Sequence, residues 1–294
     1  MKEPLVCIII LNWNGLEDTI DCLNSVLKID YPNYKIILVD NGSKDNSVKE
    51  LQKKFSKIPL IINKENLGYA EGNNVGMRYA LKQKPAYILF LNNDVTVDKK
   101  WLRILVDYAE KHPKVGIVGP KIYYSAKPDT IWFTEGKIDY DKGPFIHVDQ
   151  GRKDTKENSI AKKVDYINGC SLLIKTAIIK KIGAFDKKYF AYVEDIDLNL
   201  RVQKLGYESH IVPNSKIWHI VSASTGGEAN PKKEFLKARN LIFFVKKNFS
   251  GSERHQIMQK VLRLKLKDML IYMRYYNLSL PLAIVKGIYK GFNY

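Results

Sequence analysis

The sequence predicts an α/β fold with a mainly parallel central sheet, continued by a C-terminal helical tail. Three observations predict it. Short apolar runs without alternation recur along the N-terminal third of the chain, as strands buried on both faces require. Segments with apolar residues at helical spacing separate these runs, an order that calls for right-handed crossovers in a parallel sheet. Each run also ends in Asn, Asp or Gly, so polar loops gather along one sheet edge, where open α/β sheets bind ligands.

Residues 6–11 make the first strand and Asn12-Trp13-Asn14-Gly15 the loop at its carboxyl end. Residues 16–28 follow as a helix, with Leu16, Ile20, Leu23 and Leu27 on one face. The second strand, 35–39, ends in Asp40-Asn41-Gly42-Ser43, and a helix spans about 45–55. Residues 60–62 are a short third strand that leads through Asn66-Leu67-Gly68 into a helix ending about Gln83. Gly68, Gly72 and Gly76 miss the dinucleotide fingerprint and the P-loop lysine is absent; small residues there also suit a helix packed closely on the sheet. The fourth strand, 87–95, runs into Asn92-Asn93-Asp94. Asp94 thus sits where the strand leaves the core, fit to hold a metal or a ligand hydroxyl, although a turn bonding its own backbone is the competing reading.

Residues 101–111 read as a helix and 115–120 as a strand, whereas 125–163 mixes Gly, Pro, Asp and Lys without periodicity and reads as irregular. Strand character returns over 164–168 and 169–174. Glu194, Asp195 and Asp197 then crowd into four positions. A helix start alone tolerates such acids. With Tyr189, Phe190 and Tyr192 ahead of them a pocket wall also fits, and a partly dry carboxylate there can act as a general base. Leu198, Val202 and Leu205 give the helix an apolar stripe.

At 294 residues and 45% hydrophobic content, the chain has enough apolar side chains for a sizeable core. Its net charge of +17 favours polyanionic partners, and residues 231–294 alone hold 14 basic and 3 acidic side chains. Cys7, Cys22 and Cys170 are too scattered for a disulfide framework or a zinc site and fit a reducing cytosol. The apolar run at 5–11 lacks the length and cleavage site of a signal peptide, and no run reaches the ~18–20 residues of a membrane span. In the tail, 253–276 places Met258, Val261, Leu262, Leu266, Met269, Met273 and Tyr276 at helical spacing, with Lys260, Arg263, Lys267 and Arg274 on another face. Residues 278–285 add an apolar segment broken by Pro281. The tail therefore either lies on an anionic membrane surface or packs its stripe on the preceding domain. The expected division is a catalytic domain over 1–245 and a basic amphipathic tail over 246–294, in a cytoplasmic protein peripheral to the inner face of the cell membrane.

Asn12-Trp13-Asn14-Gly15, Asp40-Asn41-Gly42-Ser43, Asn66-x-Gly68, Asn92-Asn93-Asp94, the Gly169-Cys170 strand and Glu194-Asp195-x-Asp197 before a helix resemble, in order and spacing, the inverting family-two glycosyltransferases of GT-A fold. The resemblance covers about residues 4–245. Residues 66–74, Leu91-Asn92-Asn93-Asp94 and Arg239-Asn240 after Gly226-Gly227 are most similar to the rhamnosyltransferase-like branch. It implies a Rossmann-like nucleotide-diphospho-sugar transferase fold. The implied reaction moves a sugar from dTDP-rhamnose or a UDP-sugar to a glycan or lipid-linked acceptor during cell-surface polysaccharide or glycoprotein glycan synthesis.

Residue by residue, the resemblance implies that Asp40 reads the pyrimidine ring N–H, with Asn12 and Asn14 beside it. Asn41, Gly68, Asn92 and Asn93 would surround the nucleotide. Asp94 would be the carboxylate of the family's metal motif, with Asn92 and Asn93 where an acid often stands, and His219 would complete a site for Mg2+ or Mn2+. A histidine in an apolar strand also fits a plain core role. Asp195 would be the general base, with Glu194 as the alternative, and Asp197 would support the helix start. Residues 222–231 would be a lid over the donor diphosphate, and Arg239 would reach the same phosphates. A sugar nucleotidyltransferase would carry basic residues in its first loop, which Asn12 to Gly15 lacks. A non-catalytic nucleotide-sugar binder, or a basic nucleic-acid binder, fits less well, because both acids are present and no RNA-binding signature interleaves aromatic residues.

Overall fold

The sheet grows outward on both sides of β1 (Val6–Asn12), whose residues Val6 to Ile10 are wholly buried. The computed structural model describes residues 3–155, 159–221, 230–274 and 278–294. After β1 the chain alternates through α1 (Leu16–Val26), β2 (Tyr34–Asp40), α2 (Ser47–Lys54), β3 (Leu60–Ile62), α3 (Gly68–Leu81) and β4 (Tyr87–Asn92). These four strands lie in the order β4-β1-β2-β3, all parallel. Burial on both faces explains their continuous Ile, Leu and Val, each such side chain stabilising the fold by about 1.5–3 kcal/mol relative to exposure.

β4 stops at Asn92, short of the strand to Val95 that the sequence predicts. Asn93 and Asp94 turn out of the ladder, and the chain resumes as β5 (Val95–Val97) beside a different partner. Next come α4 (Trp101–Lys111), with Trp101, Leu102 and Leu105 fully buried, and β6 (Val115–Tyr124).

The stretch predicted as irregular is largely β-structure. It forms β7 (Lys127–Phe133), which pairs with β6, and a separate ribbon of β8 (Glu135–Asp139) and β9 (Gly143–Val148). These strands are partly exposed, so Lys and Asp occupy outward positions and mask the apolar alternation. The strand predicted over 164–168 shrinks to the end of β10 (Lys162–Val164), and extended chain resumes as β11 (Ser171–Lys175). β11 runs antiparallel between β4 and β6, so the sheet is mixed beyond its parallel N-terminal half. α5 (Thr176–Ile182) and α6 (Glu194–Lys204) lead to β12 (Glu208–His219), parallel to β6 and antiparallel to β5. Leu205 lies past the end of α6 and is 43% exposed, so the stripe predicted for that helix ends at Val202.

Three helices close the chain: α7 (Pro231–Asn248), α8 (Gly251–Arg274) and α9 (Ser279–Phe292). α7 sinks Leu241, Ile242, Phe244 and Val245 into the core. α9 lies so tightly on α7 that a Cβ on Gly287 would stand 2.5 Å from the Phe235 carbonyl oxygen. Pro281 does not break the segment at 278–285, as the sequence predicts; it sits in the first turn of α9, where a missing N–H goes unused. Along α8, Ile257 and Val261 are buried and Met258 and Leu262 pack on the core, but Leu266 and Met273 are exposed.

Candidate active site

The break after β4 brings two distant side chains together. Val95 of β5 pairs with His219 of β12, and Ile220 N–H donates to the Asp94 carbonyl at 2.9 Å. Asp94 Oδ1 therefore lies 3.2 Å from His219 Nε2, with both residues buried. The separation is that of an ion pair, yet Asp94 Oδ1 receives no aligned hydrogen bond and His219 Nδ1 has no partner. A buried oxygen and imidazole nitrogen so disposed fit a divalent cation that draws its other ligands from a substrate and water. Among the described residues no third His, Cys, Asp or Glu joins them.

The second pair of acids comes from the start of α6. Asp195 Oδ2 accepts from Gly169 N–H at 2.8 Å and its Oδ1 from Ile196 N–H at 2.9 Å. Glu194 Oε2 is buried without a partner. Burial lifts Glu194 well above the usual carboxylate range, and the neighbouring Asp195 charge adds to this. Burial raises Asp195 too, while the Gly169 and Ile196 N–H groups pull against it. Asp197 is different: burial pushes it up, but Arg201 and Lys247 outweigh that and hold it below its ordinary value. It fastens α6 to α7 and faces neither cavity.

Two cavities, of about 360 Å³ and about 670 Å³, adjoin at Asp94 and share Tyr69, Asn92 and Tyr192. The smaller is walled by Trp13, Asn41, Gly68, Asn93 and the start of α7, where Asn230 caps the helix by accepting from Lys232 N–H at 2.8 Å. Lys232 and Lys233 line it as well. The larger holds Glu194, Asp195 and His219, an aromatic wall that includes Trp132, Phe145 and Tyr166, and the side chains of Lys237 and Lys265. His147 in that wall is pushed down to about 4, first by burial and then by Lys237 and His219, so it is neutral at pH 7.

Several residues predicted to touch a nucleotide stand elsewhere. Asp40 is wholly buried and accepts from Asn12 Nδ2 at 2.8 Å and Ser43 N–H at 3.0 Å; neither Asp40 nor Asn12 lines either of these two cavities. Asn14, at φ +50°, accepts from Lys44 N–H. These three tie the loop after β1 to the loop after β2, leaving Trp13 as the side chain from that loop that reaches the cavity. Asn41 does line it, though its carboxamide is taken up by Asn63, Asn66 and the backbone of Leu67 and Gly68. Gly68 has φ +80° and abuts the Phe190 carbonyl, an approach that any Cβ would block. Of the predicted lid, residues 222–229 lie outside the described residues.

Arg239 also departs from expectation. Its guanidinium donates to the carbonyls of Lys188 and Tyr189 and faces the rings of Phe235 and Tyr294, and it lines neither cavity. Its neighbour Asn240, fully buried, holds its amide nitrogen 2.7–2.8 Å from the carbonyls of Tyr189, Ala191 and Tyr192, its two hydrogens shared among the three. The segment it grips carries positive φ at Phe190, Tyr192 and Val193 and leads directly into Glu194. Such non-glycine conformations cost of order 1–3 kcal/mol each and persist only where surroundings hold them. Lys232, Lys237, Lys265 and the clamping role of Asn240 have no local sequence signal, because each depends on how the tail helices dock.

Compared with known proteins, residues 7–183 match the model of Glycosyl transferase family 2. The chain is 30% identical over 227 residues to the rhamnosyltransferase WbbL of Escherichia coli (strain K12), covering 71% of this chain and 81% of that protein. It is 27% identical over 211 residues to the N-acetylglucosaminyl-diphospho-decaprenol L-rhamnosyltransferase of Mycobacterium tuberculosis, covering 65% of this chain and 68% of the relative. Among solved structures, GalNAc-T7 with UDP, GalNAc and Mn2+ superposes with a TM-score of 0.65 at 17% identity over 83% of this chain. The chain spans about half of that solved chain, 48%, and the likeness is one of fold.

Proposed function

This chain belongs to glycosyl transferase family 2 and is a glycosyltransferase of GT-A fold, and we propose that it transfers a sugar, with inversion, from a nucleotide diphosphate donor to a lipid-linked glycan acceptor in cell-surface polysaccharide synthesis. Family membership removes the competing readings of a nucleotidyltransferase and of a non-catalytic or nucleic-acid binder. The observation that carries the proposal is the junction of the two cavities, with Asp94 lining both and His219 and Asp195 lining the larger. The smaller cavity takes the donor, and the names of the two rhamnosyltransferase relatives point to an activated rhamnose.

In this reading Trp13 and Asn41 flank the nucleotide, while Lys232, Lys233 and the positive end of α7 face its diphosphate. Asp94 and His219 hold a divalent cation, Mg2+ or Mn2+, whose charge would offset that developing on the departing nucleoside diphosphate. Asp195, oriented by Gly169, accepts the proton of the acceptor hydroxyl as that oxygen bonds to the anomeric carbon and the bond from this carbon to the diphosphate breaks. Glu194, whose burial favours the protonated form, is the weaker candidate for the base.

We further place the enzyme against an anionic membrane surface. Leu278, Leu282, Val285, Tyr289 and Phe292 are exposed on one face of α9 at helical spacing, with Lys286 and Lys290 nearby. No helix among the described residues is long and apolar enough to cross a membrane.

Nucleoside-diphosphate release from dTDP-rhamnose, UDP-N-acetylglucosamine and GDP-mannose, measured with Mn2+ and with chelator, tests the reaction. Release from at least one donor should require the metal, and Asp94→Ala should abolish it while preserving the melting transition. Metal-independent release, or an active Asp94→Ala protein, overturns the assignment.

A further inference from the structure

We propose that Lys237 and Lys265 form a subsite for an acceptor phosphate, so that the sugar to be extended is joined through a phosphate or diphosphate to a hydrocarbon chain. The inference rests on the reading above that the acceptor occupies the larger cavity. That cavity has chemically unlike linings. Glu194 and Asp195 line it and would repel an anion, and Lys237 of α7 and Lys265 of α8 line it too, neither of them among the charges that act on the two acids.

Neither lysine has all its donors taken up by its own helix. The Lys237 ammonium is 3.6 Å from Glu234, looser than a charge-assisted hydrogen bond. Lys265 meets Asp268 at 2.7 Å, but an ammonium has three donors and one carboxylate leaves room for another anion. The Lys265 side chain is only 12% exposed, and a cation drawn so far out of water into a ligand cavity calls for negative charge there. Trp132, Phe145 and Tyr166 already provide a stacking wall for a sugar ring.

The hydrocarbon part follows from position along α8. Directly after Lys265, Leu266, Leu270 and Met273 recur at i, i+4 and i+7 and are exposed. An acceptor would thus lie with its hydroxyl at Asp195, its sugar against the aromatic wall, its phosphate at the two lysines and its chain along α8. The tail then completes the active site as well as anchoring it.

The test uses the full chain and two acceptor probes: N-acetylglucosaminyl diphosphate bearing an undecyl chain, and undecyl N-acetylglucosaminide without phosphate. Transfer comes from whichever donor shows the fastest release. The wild type should prefer the diphosphate probe in kcat/KM by roughly tenfold or more. Lys237→Gln and Lys265→Gln should each erase most of that preference, and Lys265→Arg should retain it. The ratio between probes is its own folding control, since structural damage lowers both rates together. A wild type without preference, variants that keep it, or an equal loss on both probes overturns the phosphate subsite while leaving the glycosyl transfer standing. A wild type that releases nucleoside diphosphate yet extends neither probe overturns the lipid-linked acceptor itself.

Discussion

Glu194 and Asp195 are adjacent, buried and acidic, yet their surroundings set them apart. Two backbone N–H groups support the Asp195 carboxylate, whereas Glu194 Oε2 has none. Asp195→Asn keeps the shape but cannot take a proton, so transfer should fall by roughly 10²-fold or more with donor KM little changed. A larger loss in Glu194→Gln would exchange their roles. The two also differ in stability. Because burial raises Glu194 in the folded state, its stabilising contribution is complete below the unfolded value of 4.5 and is lost as pH rises through the folded one. Glu194→Gln should therefore raise the melting temperature near pH 8, with the gain fading below about pH 4.5; a gain that grows on acidification would contradict this. Both acids were legible as a cluster on their helix start. Asp40 was legible only as a polar strand end, since burial beneath Asn12 and Ser43 depends on how two loops meet.

At the scale of elements, the segment ahead of α6 is held in place from outside. Asn240 is its clamp, and Asn240→Ala would take this donor from the Ala191 and Tyr192 carbonyls, while that of Tyr189 keeps Arg239, at a cost of about 1–3 kcal/mol. The expected outcome is a lower melting temperature together with a fall in kcat that exceeds any change in donor KM. A variant that is merely less stable, with kcat intact at low temperature, would make Asn240 structural only. That clamp spans some fifty residues of chain, and sequence pattern reads neighbours, not such contacts. The same reason explains which strands were legible. β1, β2 and β4 are buried on both faces and announce themselves as apolar runs, but β7, β8 and β9 share their outward positions with Lys, Asp and Gly.

For the whole molecule, charge and exposed apolar surface coincide in the three closing helices, since residues 231–294 hold 14 basic side chains against 3 acidic ones. Each Lys or Arg close to an anionic leaflet contributes about 1 kcal/mol, screened by salt. The protein should float with phosphatidylserine vesicles at low salt and be released at high salt. Leu282→Glu combined with Tyr289→Glu, both on the exposed face of α9, should weaken flotation without lowering the melting temperature. Binding that ignores these changes would assign the face to something other than lipid.

The pairing of β5 with β12 also has a consequence in time. Asp94 and His219 meet only because strands from opposite halves of the chain close against each other. At synthesis rates of about 5–20 residues per second, a growing chain carries Asp94 for of the order of ten seconds before His219 exists to join it. Until then a ribosome-bound fragment presents the carboxylate without the imidazole, and on the proposed assignment a chain whose sheet is unfinished should not release nucleoside diphosphate.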